Sequence, residues 1–249
     1  HALDRRQRQM CIRDRSDVWT GYVMSGQVTS LYTLSIPNYQ LVVNMAGELV
    51  ETSVDNGDGT FTYNVPVREG YTWSDGSPIT ANDWEFTFDT VKSLSLGGNF
   101  LSSYPYSCED EEGTAKNCVV SVVASDDYTV SITFNYDPGL STWQYGTAQG
   151  IAFSKAYWEQ YATDKETLYA HDATNAPVAS AFVYDKLEQG AFYTWKYDAN
   201  TMWYGGTTTI YDGGGTSVDW DNGKAPAFSA DFGNTTGDSF SYESGPFVG

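Results

Sequence analysis

Residues 70–91 constrain this chain more than any other stretch: G-Y-T-W-S-D-G-S-P-I-T-A-N-D-W-E-F-T-F-D-T-V. Just ahead of them Phe61, Tyr63, Val65 and Val67 alternate with Thr62, Asn64 and Pro66, the period of a strand with one buried face. Residues 49–54 are its expected partner. Between the two lies Asp55-Asn56-Gly57-Asp58-Gly59, whose glycines supply the positive φ of a hairpin turn. Ser74-Asp75-Gly76 makes a second turn and Pro78 stiffens its exit. Thr80 then stands as the N-cap of a helix, with Asp83 at its third position, where a carboxylate meets the positive end of the helix dipole. Trp84, Phe88 and Val91 recur on one helical face, and the pattern fades near Leu96-Gly97-Gly98. The order is hairpin, tight turn, capped helix.

Residues 73–83, W-S-D-G-S-P-I-T-A-N-D, resemble the W-S-D-G-T-P-x-T-A-x-D segment of ABC-importer extracytoplasmic solute-binding proteins, in the oligopeptide, dipeptide and nickel-binding family. Residues 122–134 resemble the same family's V-x-A-x-D-D-Y-T-V-x-I-T-F hairpin. A third block, residues 177–206, keeps Pro177-Val178, Leu187, Gly190 and Gly205-Gly206 of a longer family pattern. It departs at the G-T-G-P-Y core, which here is Ala179-Ser180-Ala181-Phe182-Val183. Without those glycines the block reads as a plain strand entering a hairpin. The resemblance covers residues 41–206. It implies an α/β, two-lobed periplasmic-binding-protein-like fold, truncated, with a β-rich smaller lobe. Residues 41–165 would form that inserted lobe, and 16–40 with 166–249 would be pieces of the large one. Family members are longer, so the chain reads as an N-terminal fragment.

The first fifteen residues break with the rest. They hold Arg5, Arg6, Arg8, Arg13 and Arg15, whereas Arg68 is the one arginine that follows. A shift this sharp reads as a non-native or artefactual segment. No apolar run follows the arginines as a signal peptide requires, and Gln9-Met10 ahead of Cys11 are not the small residues of a lipoprotein site. Setting Cys11 aside leaves Cys108 and Cys118 bracketing an acidic loop, the expected disulfide of an oxidising compartment. Two free thiols are the alternative.

The net charge is −19 over 249 residues. A surface so acidic argues against nucleic acid or an anionic membrane as partner. No run of 18 apolar residues exists, so nothing in the sequence reads as a membrane span. No G-x-S-x-G is present, the glycines at 213–215 lack the lysine of a phosphate loop, and two histidines give no metal set, so neither enzyme chemistry nor a cofactor is expected.

What remains is binding. The resemblance implies capture of a peptide or similar small solute outside the cell membrane, by a monomer that hands it to the permease of an ABC importer. The family's aspartate for a peptide amino terminus has no matching position here. On physical grounds Tyr104, Tyr106, Trp143, Tyr145 and Gln149 are the cleft candidates: amphipathic side chains in loops leaving the small lobe. Two other readings stay open, a secreted carbohydrate-active enzyme or carbohydrate-binding module and a β-rich surface protein. Facing carboxylates would favour the first and a closed sandwich the second.

Overall fold

The computed structural model describes residues 26–34, 39–97, 100, 103–180, 182–188, 192–198, 200–202, 207–211, 217–221, 228–230 and 240–242. The arginine-rich segment 1–15 therefore lies outside the described residues. In chain order the strands are β1 (Thr29–Ser30), β2 (Tyr32–Leu34), β3 (Leu41–Val43), β4 (Val54–Asp55) and β5 (Phe61–Pro66). Helix α1 (Ala81–Ser93) follows, then β6 (Val119–Asp126) and β7 (Thr129–Phe134). After them come α2 (Leu140–Trp143), β8 (Ile151–Ala152), α3 (Lys155–Trp158) and α4 (Lys165–Ala170). The last strands are β9 (Phe182–Glu188) and β10 (Phe192–Tyr197), then β11 (Thr207–Tyr211), β12 (Ser217–Asp221), β13 (Phe228–Ala230) and β14 (Phe240–Tyr242).

The centre is a four-stranded antiparallel sheet in the order β4-β5-β7-β6, with α1 packed against it. Tyr63 and Val65 of β5, Val119 and Val122 of β6, and Val130, Ile132 and Phe134 of β7 bury one face against Trp84 and Phe88 of α1. The alternation of β5 thus faces inward as its sequence requires. Its main partner is not residues 49–54, however. Only Val54 and Asp55 pair with it, while β7 pairs along its whole length. Residues 48–50 satisfy their main chain through side chains instead. The Tyr32 hydroxyl donates to the Glu48 carbonyl at 2.9 Å and accepts from the Val50 N–H at 3.1 Å. The turn itself forms as expected, with Gly57 and Gly59 at φ +78° and +89°.

The W-S-D-G-S-P block is a hydrogen-bonded unit. Gly76 N–H donates to the Trp73 carbonyl, Trp73 N–H donates to Ser77, and the Asp75 carboxylate accepts from both the amide and the hydroxyl of Ser77. Ser74 ties it to the third family-like block, donating its N–H to the Val178 carbonyl while its hydroxyl accepts from Val178 N–H. Thr80 caps α1 as expected, but the helix ends at Ser93, before the glycines, because Ser95 itself takes a positive φ of 50°.

Residues 207–242, which composition presents as a long loop packing at points, contain two strand pairs, β11 with β12 and β13 with β14. The β-branched and aromatic run Thr207-Thr208-Thr209-Ile210-Tyr211 outweighs the glycine content around it. Residues 179–183 do lead into a hairpin, β9 with β10.

Cys108 and Cys118 form a disulfide with Cα atoms 5.2 Å apart. The enclosed loop is turned by Asp110, whose carboxylate accepts from the amides of Glu112 and Thr114, with Gly113 at φ +77°. Reduction, or Cys108→Ala with Cys118→Ala, is expected to lower the unfolding free energy by about 2.5–3 kcal/mol through loop-closure entropy. Urea unfolding with and without reductant measures it, and coincident curves would count against the loop as a contributor.

Acid outweighs base in the chain as a whole, 32 acidic residues against 13 basic ones, so unscreened repulsion acts on the folded state. Raising NaCl from about 0.01 M to about 1 M shortens the Debye length from about 30 Å to about 3 Å. Thermal unfolding across that range should show the melting temperature climbing by several degrees; a flat or falling series would refute the repulsion argument.

Candidate functional site

Helix α1 holds the segment 150–155, which directly follows the candidates Trp143, Tyr145 and Gln149. Three neighbouring side chains of α1 receive it. Asp83 Oδ1 accepts from Lys155 N–H at 2.8 Å, Thr87 Oγ1 accepts from Phe153 N–H at 3.0 Å, and Trp84 Nε1 donates to the Gly150 carbonyl at 3.2 Å. The spacing i, i+1, i+4 puts all three on the helix surface that faces residues 150–155. Asp83 is 3% exposed and also accepts from Thr80 N–H at 3.0 Å and Trp73 Nε1 at 3.3 Å. Burial pushes its carboxyl above the usual range, against the pull of those three donors.

Upstream of that docked segment, α2 ends in Trp143, 3% exposed. Its ring stacks on Tyr63 at 3.7 Å and its Nε1 donates to the Val50 carbonyl at 2.9 Å. Tyr32 meets the same indole edge-on, and burial raises its phenol to about 12. Tyr63 is raised too, by burial first and then by the charge of Asp137. Two glutamine side chains then hold the turn. Gln149 Nε2 donates to the Gln144 carbonyl at 3.0 Å, and Gln144 Nε2 donates to the Tyr39 carbonyl at 2.9 Å. Tyr39 has φ +51°, a left-handed conformation uncommon outside glycine.

The five candidates separate by burial. Tyr104 is fully buried, its ring edge-on to Phe88 and its hydroxyl donating to the Ile151 carbonyl, and burial drives its phenol far up. Trp143 is likewise a core side chain. Tyr106 is half-buried and donates to the Leu96 carbonyl at 3.0 Å, towards the far end of α1. Gln149 is half-buried, and Tyr145 is 48% exposed. The structure thus gathers Trp143, Tyr145 and Gln149 into one turn, places Tyr104 beneath it, and sets Tyr106 apart. Tyr39, 57% exposed and anchored by Gln144, joins this surface without having been singled out in the sequence. Nothing local marks it beyond the proline two residues before.

Carboxylates lie near the strand ends that meet Trp143, and Arg68 Nε donates to the Ala46 carbonyl at 3.1 Å, two residues from Glu48. Asp137 accepts from Ser53 Oγ at 3.4 Å, and Glu48 and Glu51 are exposed on either side of the 49–50 stretch whose Val50 carbonyl accepts from Trp143 Nε1. Residues 26–67 and 117–154 contain no lysine, arginine or histidine. Among the described residues no group of three His, Cys, Asp or Glu side chains is placed to hold a metal ion. His171 lies elsewhere, its Nε2 2.9 Å from the Tyr157 hydroxyl and its ring stacked on Tyr161. An apolar cavity of about 70 Å³ lies on another part of α1, between Phe86 and Thr90 on one side and Phe153, Trp158 and Tyr169 on the other.

Residues 44–224 match the family described as bacterial extracellular solute-binding proteins, family 5 Middle. Solved structures share the fold. The oligopeptide-binding protein AppA of Bacillus subtilis, in complex with a nonapeptide, aligns with a TM-score of 0.57 at 14% identity, over 85% of this chain and 37% of that one. OppA of Listeria monocytogenes bound to peptide gives 0.52 at 16% identity, over 86% of this chain and 40% of that one. A mannohexaose-bound oligopeptide-binding protein of Thermotoga maritima gives 0.50 at 18% identity, over 70% and 28%. The chain therefore spans about two fifths or less of the length of these structures. No curated protein sequence matches it. The shared fold is the two-lobed α/β architecture of periplasmic binding proteins, of which this chain covers a part.

Proposed function

Because the chain belongs to the bacterial extracellular solute-binding proteins, family 5, we propose that it captures peptides or similar small solutes outside the cell membrane for an ABC importer. The family match over residues 44–224 carries this reading. Its partners are then the solute and a membrane permease, it works as a monomer, and it performs no catalysis. In this reading residues 41–165 form the smaller lobe and 16–40 with 166–249 the large one, of which residues 16–25 and 243–249 lie outside the described residues. In the described residues no helix is long and apolar enough to cross a membrane, which fits delivery to a separate permease. Tyr145 and Gln149 are the contact residues among the five candidates, since Tyr104 and Trp143 are committed to the core and Tyr106 lies apart.

The test is capture from a mixture. Saturation-transfer NMR with di- to pentapeptides and mannohexaose detects weak binding, and thermal shift with the same solutes and nickel detects tight binding. Saturable transfer to intact peptide is the expected result. Transfer to the sugar alone would assign the protein to carbohydrate, and shortened peptides in the same tube would reveal an enzyme. Silence from every solute would overturn capture.

A further inference from the structure

We infer that α1 guards the free edge of the central sheet, with Glu85 and Lys92 blocking the addition of a strand from a second copy of this chain. The device is independent of which solute is captured.

Among the described residues β6 is the last strand in the order β4-β5-β7-β6, so one of its sides has no strand neighbour. Its residues 119–124 read V-V-S-V-V-A, with four valines and no charge, proline or glycine. An edge of this composition is a template on which a like strand can pair. Val120 and Val123 are 37% and 42% exposed, so the side chains that favour pairing are open to contact too. The whole chain carries −19, but this segment carries nothing, so two copies meet along it without local repulsion.

Two side chains of α1 occupy the main chain of that segment. Glu85 Oε2 accepts from the Ala124 N–H at 2.9 Å, and Lys92 Nζ donates to the Val120 carbonyl at 3.4 Å. The earlier helix residue meets the later strand residue, so α1 runs antiparallel to β6. Between Glu85 and Lys92 the helix advances about 10 Å, comparable with the about 13 Å of strand between Val120 and Ala124. The pair therefore reaches both ends of the uncharged segment. Ala124 turns its N–H away from β7, and the alternation of an antiparallel ladder turns Val122 the same way. A strand added at this edge has to bond there, between the two charged groups, and must displace them. Glu85 is half-buried, and Lys92 lies over the Phe88 ring at 5.6 Å, which holds both in place. At the start of the strand the Pro105 carbonyl takes the Val119 N–H at 2.8 Å, leaving α1 to cover the rest.

The test is sedimentation velocity over a wide range of protein concentration at about 1 M NaCl, where a Debye length of about 3 Å removes the general repulsion. The parent should remain monomeric throughout. Glu85→Ala/Lys92→Ala should self-associate. Glu85→Gln/Lys92→Arg, which keeps an acceptor and a donor in place, should not. Adding Val123→Lys to the alanine pair should restore the monomer, because a lysine within the segment opposes the pairing of like strands. Amide hydrogen exchange locates the contact. In the alanine variant Ala124 should exchange severalfold faster than in the parent while the chain is dilute, and more slowly once it associates. An alanine variant that stays monomeric although Ala124 exchanges faster would overturn the inference, since the opened edge then needs no guard. Association that persists with Val123→Lys would overturn it as well, by tracing the contact to unfolding or to another surface. Association of the parent equal to that of the alanine variant would do the same.

Discussion

Replacing Asp83 by alanine is expected to cost about 3–5 kcal/mol of folding stability. The carboxylate, 3% exposed, accepts from Trp73 Nε1, Thr80 N–H and Lys155 N–H. Its loss leaves three donors without that acceptor, each worth about 1–3 kcal/mol when buried and unsatisfied. It also removes the reciprocal half of the helix cap. The relief of desolvating one fewer charge offsets part of this. Asp83→Asn should cost less but still clearly more than zero, because the asparagine NH2 group cannot accept and must face at least one of the three donors. Urea unfolding measures all three proteins. An alanine variant within about 0.5 kcal/mol of the parent, the range of an ordinary surface substitution, would show the network is not what holds the block together.

The same carboxyl shapes the pH dependence. Its folded pKa is raised above the ordinary value of 3.8, so the ionised form costs stability at neutral pH. That cost fades as pH falls through the raised value and is gone once pH drops below 3.8, where the unfolded chain is protonated too. Asp89 is raised as well, mainly by burial. Asp58 and Asp164 have lowered values, held down by hydrogen bonds from Thr60 and Thr167, and their support is present above 3.8 and lost as pH falls through their folded values. The two windows lie on opposite sides of 3.8, so thermal unfolding should peak in mild acid rather than at neutrality. Asp83→Asn should flatten the rise on the neutral side.

Much of this was legible in residues 61–91 because there each local signal agrees with its neighbours. The β5 alternation, the glycines of the turn, and the Thr80 to Asp83 spacing all point to one arrangement, and the structure has it. Residues 49–54 misled because a β-compatible sequence next to a turn implies a ladder, and nothing local reveals that Tyr32 and Trp143, distant in sequence, take its hydrogen bonds. The same blindness covers Asp83. Its place at the start of the helix was readable, but its bonds to Trp73 and Lys155 are tertiary. For the site, residue type identified amphipathic side chains without telling which were buried. Tyr104 and Tyr145 look alike in sequence, yet one is fully enclosed and the other half exposed. Tyr39 was missed because its distinction is a backbone angle and one hydrogen bond to Gln144.

Gly150→Ala should be nearly as damaging as the loss of Asp83, at about 3–4 kcal/mol. Here the glycine is demanded by close approach rather than by its backbone angle, since its φ is an ordinary −55°. A Cβ at this position would fall 2.5 Å from Tyr104 Cζ and 2.8 Å from the Thr147 carbonyl oxygen. Neither neighbour can give way cheaply. Tyr104 is fully enclosed, and Thr147 is main chain in a short 3-10 turn. Overpacking of this kind costs about 1–3 kcal/mol, and shifting residue 150 also strains the bond from Trp84 Nε1 to its carbonyl. Because residues 144–150 carry Gln144, Tyr145 and Gln149, the displaced turn should weaken solute binding as well as the fold. A double-mutant cycle separates the clash from other causes. Tyr104→Leu, destabilising alone, removes the opposing ring atoms, so adding Gly150→Ala to it should cost markedly less than adding it to the parent. Additive losses would show that the tyrosine ring is not the obstacle. Binding that stays intact in a destabilised Gly150→Ala protein would remove the turn from the solute site.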